Sequence, residues 1–382
     1  MIMKILILLP SYQLGGTNTS LNYFLKYLSI KHSDKNTIDV YALTPFGPNA
    51  NYLSQFANLL NNPPKKINKS GVFYIIKNII KPFRCIAKII GYDIVDIQLK
   101  RIATSLEQKY DCVIAYQEGQ CTKLLSFLND KSFKIAWVHC EYSSLIKFSK
   151  GNIDHSPYEK VDKIVCVSQA ASADFVNCFP KYKDKVITIY NQLDPDRILR
   201  KSIEFNPYLD NESQIKIVSV GRIDSIKRFS YIPKVLSALS LKESIIWFIV
   251  GGIAHQSEYE ALLRNIKKYG VENRIKIIGP VENPYPYIKY ADLLVCLSSS
   301  ESFSYVISEA KILGTPIVTT DFACAKEFLR DGLEGSISSV EEIPATINEI
   351  FSTEKLKHYR DELKHVVYLN PVTDSLLKEI KL

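Results

Sequence analysis

The sequence predicts an α/β protein with two doubly wound, Rossmann-like domains, on three observations. Short apolar runs alternate with amphipathic helical stretches, the runs lack strict polar alternation, and the pattern breaks once and restarts. A strand covered by helices on both faces shows no side to water, so it reads as near-continuous Val, Ile and Leu. Strands and helices in regular succession build a parallel sheet. The chain has 382 residues, 46% hydrophobic and 23% charged, enough for two domains with a core each.

In the first half, "KILILLP" precedes helical "GGTNTSLNYFLKYLS", and "DCVIAYQEG" precedes "CTKLLSFL". The strands "KIAWVHC", "DKIVCVS" and "KVITIY" follow, with helical "QAASADFVNCF" between the last two. The opening run stops at Pro10, too short for a secretion signal, and no apolar run approaches the ~18 residues of a membrane span. A polar stretch from Asn191 to Ser213, holding Pro195 and Pro207, interrupts the pattern. It resumes with "IKIVSVG", "SIIWFIVGG", "RIKIIG", "DLLVCLS" and "PIVTT", separated by helices. The expected organisation is a first domain over 1–193, a linker over 194–212, a second domain over 213–365, and a helix over 366–382 that returns to the first domain.

Two such domains are expected to face each other across a cleft. Ligands of doubly wound sheets bind beyond the carboxyl ends of the strands, so the residues just after each strand are the candidates. Glu301 follows "DLLVCLSSS", and Glu309 lies eight residues on, two helical turns away. Ser302 and Ser304 suit N-caps, and Gly314 suits a helix stop. The free N–H groups from Phe303 to Val306 then form an anion site, and a carboxylate at Glu309 can accept both hydroxyls of a ribose. Taken alone, each glutamate reads more simply as a surface charge, Glu309 on a solvated helix face and Glu301 in a loop. In "VGRIDSIKRF", Arg222 abuts a strand and Lys227 is five residues on; two cations there can neutralise a diphosphate. A surface basic turn is the plainer reading of that segment.

Taken in order, these motifs resemble the nucleotide-binding half of the retaining glycosyltransferases of family 4, which have the GT-B fold. The resemblance covers Lys216 to Gly335 through "VGRIDSIKRF", "IKIIGPVEN", "ADLLVCLSSSESFSYVISEA", "GTPIVTTD" and "KEFLRDGLEG". It is looser in the first half, resting on Gly15-Gly16, His139, Ser168 and "YNQLD". It implies that Arg222 and Lys227 hold the donor diphosphate, Glu309 the ribose, and that Glu301 faces the transferred sugar. It places the base on the backbone of Gly279, Pro280 and Val281, and amides near Phe303 and Ser304 on sugar or phosphate. Gly16 would lie near the donor, and His139 would contact the sugar. Where this chain has Ser302 and Ser304 the family often has Gly, which bears on donor choice.

The expected activity is metal-independent, retaining transfer of a sugar from a nucleotide sugar, with UDP favoured, to a glycan or lipid-linked glycan of surface polysaccharide synthesis. A sugar-nucleotide epimerase and a non-catalytic nucleotide-sugar-binding subunit are the alternatives. No cofactor is expected: the 8 cysteines form no CxxC pair and several sit in apolar runs, the pattern of a reduced, cytoplasmic protein. Asp194-Pro195-Asp196 reads as a turn, not a metal site. Glu118, after "VIAYQ", is either an acceptor contact or a loop carboxylate.

The net charge is +8, and no acidic residue lies between Asp39 and Asp93. In 74–90, Lys77, Lys81, Arg84 and Lys88 share one helical stripe opposite Ile75, Ile79, Phe83, Ile86 and Ile90. That suits either an anionic membrane surface or a helix packed on the first domain. No nucleic-acid motif accompanies the charge.

Overall fold

A computed structural model describes residues 3–13, 15–32, 36–61, 94–106, 110–128, 131–211, 214–366 and 378. The basic segment 74–90 lies outside these residues, as does nearly all of the expected C-terminal helix. The chain divides into two compact units, the first built on Met1–Val167 and Ala171–Gln192, the second on Leu193–Asn370 with Ser168–Ala170. Each unit is an α/β layer around one parallel sheet, as the apolar runs predict. No helix among the described residues is long and apolar enough to cross a membrane.

The first sheet contains β1 (Met3–Ser11), β2 (Asn36–Thr44), β3 (Asn58–Leu59), β4 (Cys112–Ala115), β5 (Phe133–Val138), β6 (Lys163–Cys166) and β7 (Val186–Thr188). Their order is β3-β2-β1-β4-β5-β6-β7, with every pair parallel. Ile5 to Leu9 are completely buried in the centre of this sheet. Leu6, Leu8, Val113, Ala115, Ala136 and Val138 share one core with residues such as Leu99, Leu124 and Phe175 from the covering helices. Each aliphatic side chain buried this way stabilises the fold by ~1.5–3 kcal/mol. An aromatic trio sits elsewhere in the unit, where Trp137 lies 5.2 Å from Phe24 and 4.8 Å from Tyr116.

The second sheet contains β8 (Ile215–Val220), β9 (Ile245–Val250), β10 (Ile275–Gly279), β11 (Leu293–Cys296), β12 (Ile317–Thr320) and β13 (Gly335–Ser338), ordered β10-β9-β8-β11-β12-β13. This order reverses direction between β8 and β11, and a doubly wound sheet opens its crevice at such a reversal. The first sheet reverses between β1 and β4. Trp247, fully buried on β9, keeps its indole N–H satisfied by donating to Ser219 Oγ at 3.0 Å, and Ser219 donates to the Val295 carbonyl at 2.7 Å.

One register device recurs in both units. Asp111, Asp162 and Asp292 stand immediately before β4, β6 and β11. Their carboxylates accept the main-chain N–H of Lys4, Lys134 and Lys216, the second residues of the neighbouring strands β1, β5 and β8, at 2.7–2.8 Å. A one-residue slip would break these bonds and reverse every side chain, so register is doubly specified.

Candidate active site

Beside the β8/β11 reversal, the ends of β8 and β9 approach closely because a glycine follows each. Gly221 and Gly251 have φ of +152° and +149°. A Cβ on Gly251 would lie 1.8 Å from the Gly221 carbonyl oxygen. Gly221 N–H donates to Val250 and Gly251 N–H to Gly279, at 2.9 and 2.8 Å. Gly251→Ala is therefore expected to force these turns apart and to lower stability by ~3 kcal/mol or more, measured by urea unfolding.

The turn after β8 delivers Lys227. Its stem passes over Gly221, where an added Cβ would meet Cε at 3.3 Å. Its main-chain N–H donates to Asp224 Oδ1 at 2.9 Å, and its ammonium donates to Glu301 Oε1. Ser298 Oγ donates to the same oxygen at 2.7 Å, and Cys324 Sγ donates to the Glu301 carbonyl at 3.0 Å. The Lys227 and Glu301 side chains are 20% and 12% exposed, so this is a largely dry ion pair. Burial disfavours the ammonium, but the Glu301 carboxylate, helped by Cys296 and Asp224, outweighs it and raises the Lys227 pKa. Arg222 behaves differently. Its side chain is 75% exposed and only 3.6 Å from the buried Asp224 carboxylate, so Lys227, not Arg222, is the cation locked to Glu301.

The helix after β11 runs over Tyr305–Leu313, with Gly314 in the left-handed region at its end. Glu301 thus lies in the loop between β11 and the helix, and Glu309 on the helix itself. The N-cap is Ser304, not Ser302, and its hydroxyl makes no capping bond. Phe303 is a core residue, its ring 4.7 Å from Phe328 and 4.9 Å from Tyr305. Lys311 and Arg330 both pair with the buried Glu334, at 2.9 and 2.8 Å, which ties the helix to the start of β13. Glu309 projects from this helix half-buried. Burial pushes its carboxyl up to about 8, against a hydrogen bond from Tyr285 that favours the charged form.

Gly279 ends β10 with φ +83° beside a register shift between Ile277 and Gly279, leaving Pro280 exposed and Val281 half-buried at the next strand end. Arg222, Lys227, Gly279, Val281, Glu301 and Ser304 therefore all stand at the carboxyl side of one sheet.

In the first unit, Gly16 opens the helix Gly16–His32 after β1, and a Cβ on Gly15 or Gly16 would meet nothing within 4 Å. No packing within the unit demands glycine there. His139 follows β5, and its main-chain N–H donates to Glu118 Oε2 at 3.0 Å. Burial lowers its pKa to about 3 while a bond to the Tyr116 backbone works against this, so the ring is neutral at pH 7. Glu118 is likewise pushed up by burial, opposed by its bonds from the His139 and Glu118 main chain and from Cys140. Asp194 caps the helix Pro195–Ser202 by accepting from the Arg197 N–H at 3.1 Å, the turn chemistry expected of Asp-Pro-Asp. Ser298, Asp224, Tyr285 and Cys324 were not legible as site residues, because each acts only through a neighbour brought to it by the fold.

The family described as Glycosyl transferases group 1 matches residues 200–365. A 41.2 kDa protein of unassigned function from the cps region of Klebsiella pneumoniae is 25% identical over 250 residues, 62% of this chain and 65% of its own. The N-acetylgalactosamine-N,N'-diacetylbacillosaminyl-diphospho-undecaprenol 4-alpha-N-acetylgalactosaminyltransferase of Campylobacter jejuni is 28% identical over 185 residues, 48% of each chain. The chain thus spans about half to two thirds of the length of these curated relatives. Among solved structures, Anabaena Alr3699/HepE in complex with UDP-glucose superimposes with a TM-score of 0.73 at 16% identity, covering 99% of this chain and 98% of that one. WaaG, a glycosyltransferase involved in lipopolysaccharide biosynthesis, gives 0.61 at 14%, covering 94% of each. The two parallel sheets are those of the GT-B glycosyltransferase fold, and the part that matches the glycosyl transferases group 1 family is the part that carries Lys227, Glu301 and Glu309.

Proposed function

We propose that this chain is a retaining, metal-independent glycosyltransferase that moves a sugar from a UDP-sugar to a glycan or lipid-linked glycan acceptor of surface polysaccharide synthesis. The observation that carries the reading is the Lys227–Glu301 pair at the β8/β11 reversal, with Glu309 on the helix that follows. As the bond from the anomeric carbon to the diphosphate loosens, negative charge grows on the leaving group. Lys227, Arg222 and the amides that open the Tyr305–Leu313 helix meet that charge with fixed dipoles and cations. Glu309 accepts the ribose hydroxyls, and the backbone at Gly279–Val281 receives the base. The acceptor hydroxyl attacks from the face the diphosphate leaves. His139, neutral at pH 7, offers a ring nitrogen to a sugar hydroxyl without adding charge. The UDP preference draws on the UDP-glucose bound by HepE, and the acceptor class on the undecaprenol-linked substrate in the name of the Campylobacter relative. The domain limits 1–193 and 213–365 and peripheral placement at the inner face of a membrane belong to the same proposal.

Purified chain is expected to bind UDP more tightly than GDP or ADP and to hydrolyse a UDP-sugar slowly. Excess EDTA should leave the rate within about twofold, since the cations do the work of a metal. NMR of the product should show the donor's anomeric configuration. Strict dependence on a divalent ion would remove the metal-free mechanism, and an inverted product would remove retention.

A further inference from the structure

The charges around the β8/β11 reversal nearly cancel. Lys227 pairs with Glu301, and Arg222 stands 3.6 Å from Asp224. The next cation along the following helix, Lys311, is held by Glu334. A nucleoside diphosphate brings two or more negative charges, which so balanced a set does not neutralise. One more cation lies on the same turn. Arg228 directly follows Lys227, is half-buried, and its side chain makes no hydrogen bond or ion pair among the described residues. Its backbone is left-handed, with φ 52° and ψ 34°, and its carbonyl accepts the Tyr231 N–H at 2.9 Å in the turn that follows. Among the described residues only Lys150, which is exposed, shares a positive φ without being glycine. Glycine would adopt this conformation without strain. A charged side chain kept there against its backbone preference, and without a partner among the described residues, points to a ligand.

We propose that Arg228 supplies the uncompensated positive charge for the diphosphate of the donor, and so makes the site select nucleoside diphosphates over monophosphates. The proposal rests on the nucleotide-sugar reading above. Its chemistry is that of a guanidinium paired with phosphate oxygens, which Lys227 performs only in competition with Glu301.

The test is isothermal titration of the full chain with UDP and with UMP. Arg228→Gly removes both charge and strain, Arg228→Gln removes the charge and keeps the strain, and Arg228→Lys keeps both. Losing one charge-assisted contact should weaken UDP by about tenfold or more in the Gly and Gln variants, and UMP by no more than about threefold. The Lys variant should stay within about threefold of wild type for UDP, and the Gly variant should melt at a higher temperature. Unchanged UDP affinity in both neutral variants would overturn the proposal. So would weakening in Arg228→Gly but not Arg228→Gln, which would assign the effect to the backbone, or equal weakening of UMP and UDP. A wild-type chain that binds no UDP would instead strike down the underlying donor reading, and the proposal with it.

Discussion

Replacing Lys227 by alanine is expected to lower transfer by about 10²–10³-fold, the usual loss when one preorganised group facing developing charge is removed. The same change should reduce stability by roughly 3 kcal/mol, because Glu301 would lose its cation in a largely dry position and keep only the Ser298 hydroxyl beside the same oxygen. Stability and chemistry can be separated with a second substitution. Lys227→Ala combined with Glu301→Gln removes the stranded carboxylate, so the melting temperature should recover most of its fall. Transfer should not recover, since neither new side chain can meet the charge on a departing diphosphate. Measuring kcat/KM for donor hydrolysis alongside thermal unfolding distinguishes the two. A double variant that regains activity would show that Lys227 serves only to neutralise Glu301.

Glu309→Gln is expected to lower donor kcat/KM by about tenfold or more, because an amide offers one acceptor oxygen where a carboxylate offers two to a vicinal diol. The same variant should be more stable than the wild type in alkali. The folded carboxyl is raised to about 8 from its ordinary value of 4.5. The folded chain therefore holds a proton that the unfolded chain releases. Its contribution to stability is fully present below about 4.5 and is lost as pH rises through about 8. Glutamine carries no such dependence. The melting-temperature difference between variant and wild type should thus grow from pH 5 to pH 8.5, reaching a few degrees. Activity runs the other way. If the ionised form receives the diol, kcat/KM of the wild type rises between pH 7 and 8.5, and that of Glu309→Gln stays flat. A flat wild-type profile, or a variant whose stability tracks the wild type at every pH, would remove Glu309 from the donor site. A binding residue that destabilises its own fold is the pattern expected where function, not packing, retains it.

Ten of the thirteen strands among the described residues were legible beforehand: "KILILLP", "DCVIAYQEG", "SIIWFIVGG" and "DLLVCLSSS" fall on β1, β4, β9 and β11, and "KVITIY" and "RIKIIG" on the edge strands β7 and β10. Those missed were edges or mixed strands. β3 is two residues long, and β13 reads "GSIS" and pairs on one side only. β2 reads "NTIDVYALT", where Asp39 breaks the apolar run because its carboxylate is buried against the Tyr110 hydroxyl at 2.8 Å. An edge strand buries less, so less apolar sequence is required of it.

The distribution of side chains at the site was read less completely. Glu301 and Glu309 look equivalent in sequence, eight residues apart, yet one is an ion-paired loop carboxylate and the other a carboxyl held near neutrality on a helix. Ser304 stands where an N-cap should be, but its hydroxyl does not bond the helix. Local propensity predicts position along the chain; it does not predict which neighbour competes for a polar atom.

By itself, the sequence determined the α/β class, the restart that marks two units, and the strand ends where chemistry-bearing residues gather, since hydrophobic period and chain punctuation are local properties. Only the tertiary structure decided that Lys227 meets Glu301 across 74 positions, that Arg222 stays in water, and that the Arg228 side chain finds no partner among the described residues. Those outcomes depend on β8 lying beside β11 and on two glycines letting adjacent turns touch. Burial then set each group's charge, because a carboxylate's pKa follows the water and the partners around it, and sequence distance measures neither.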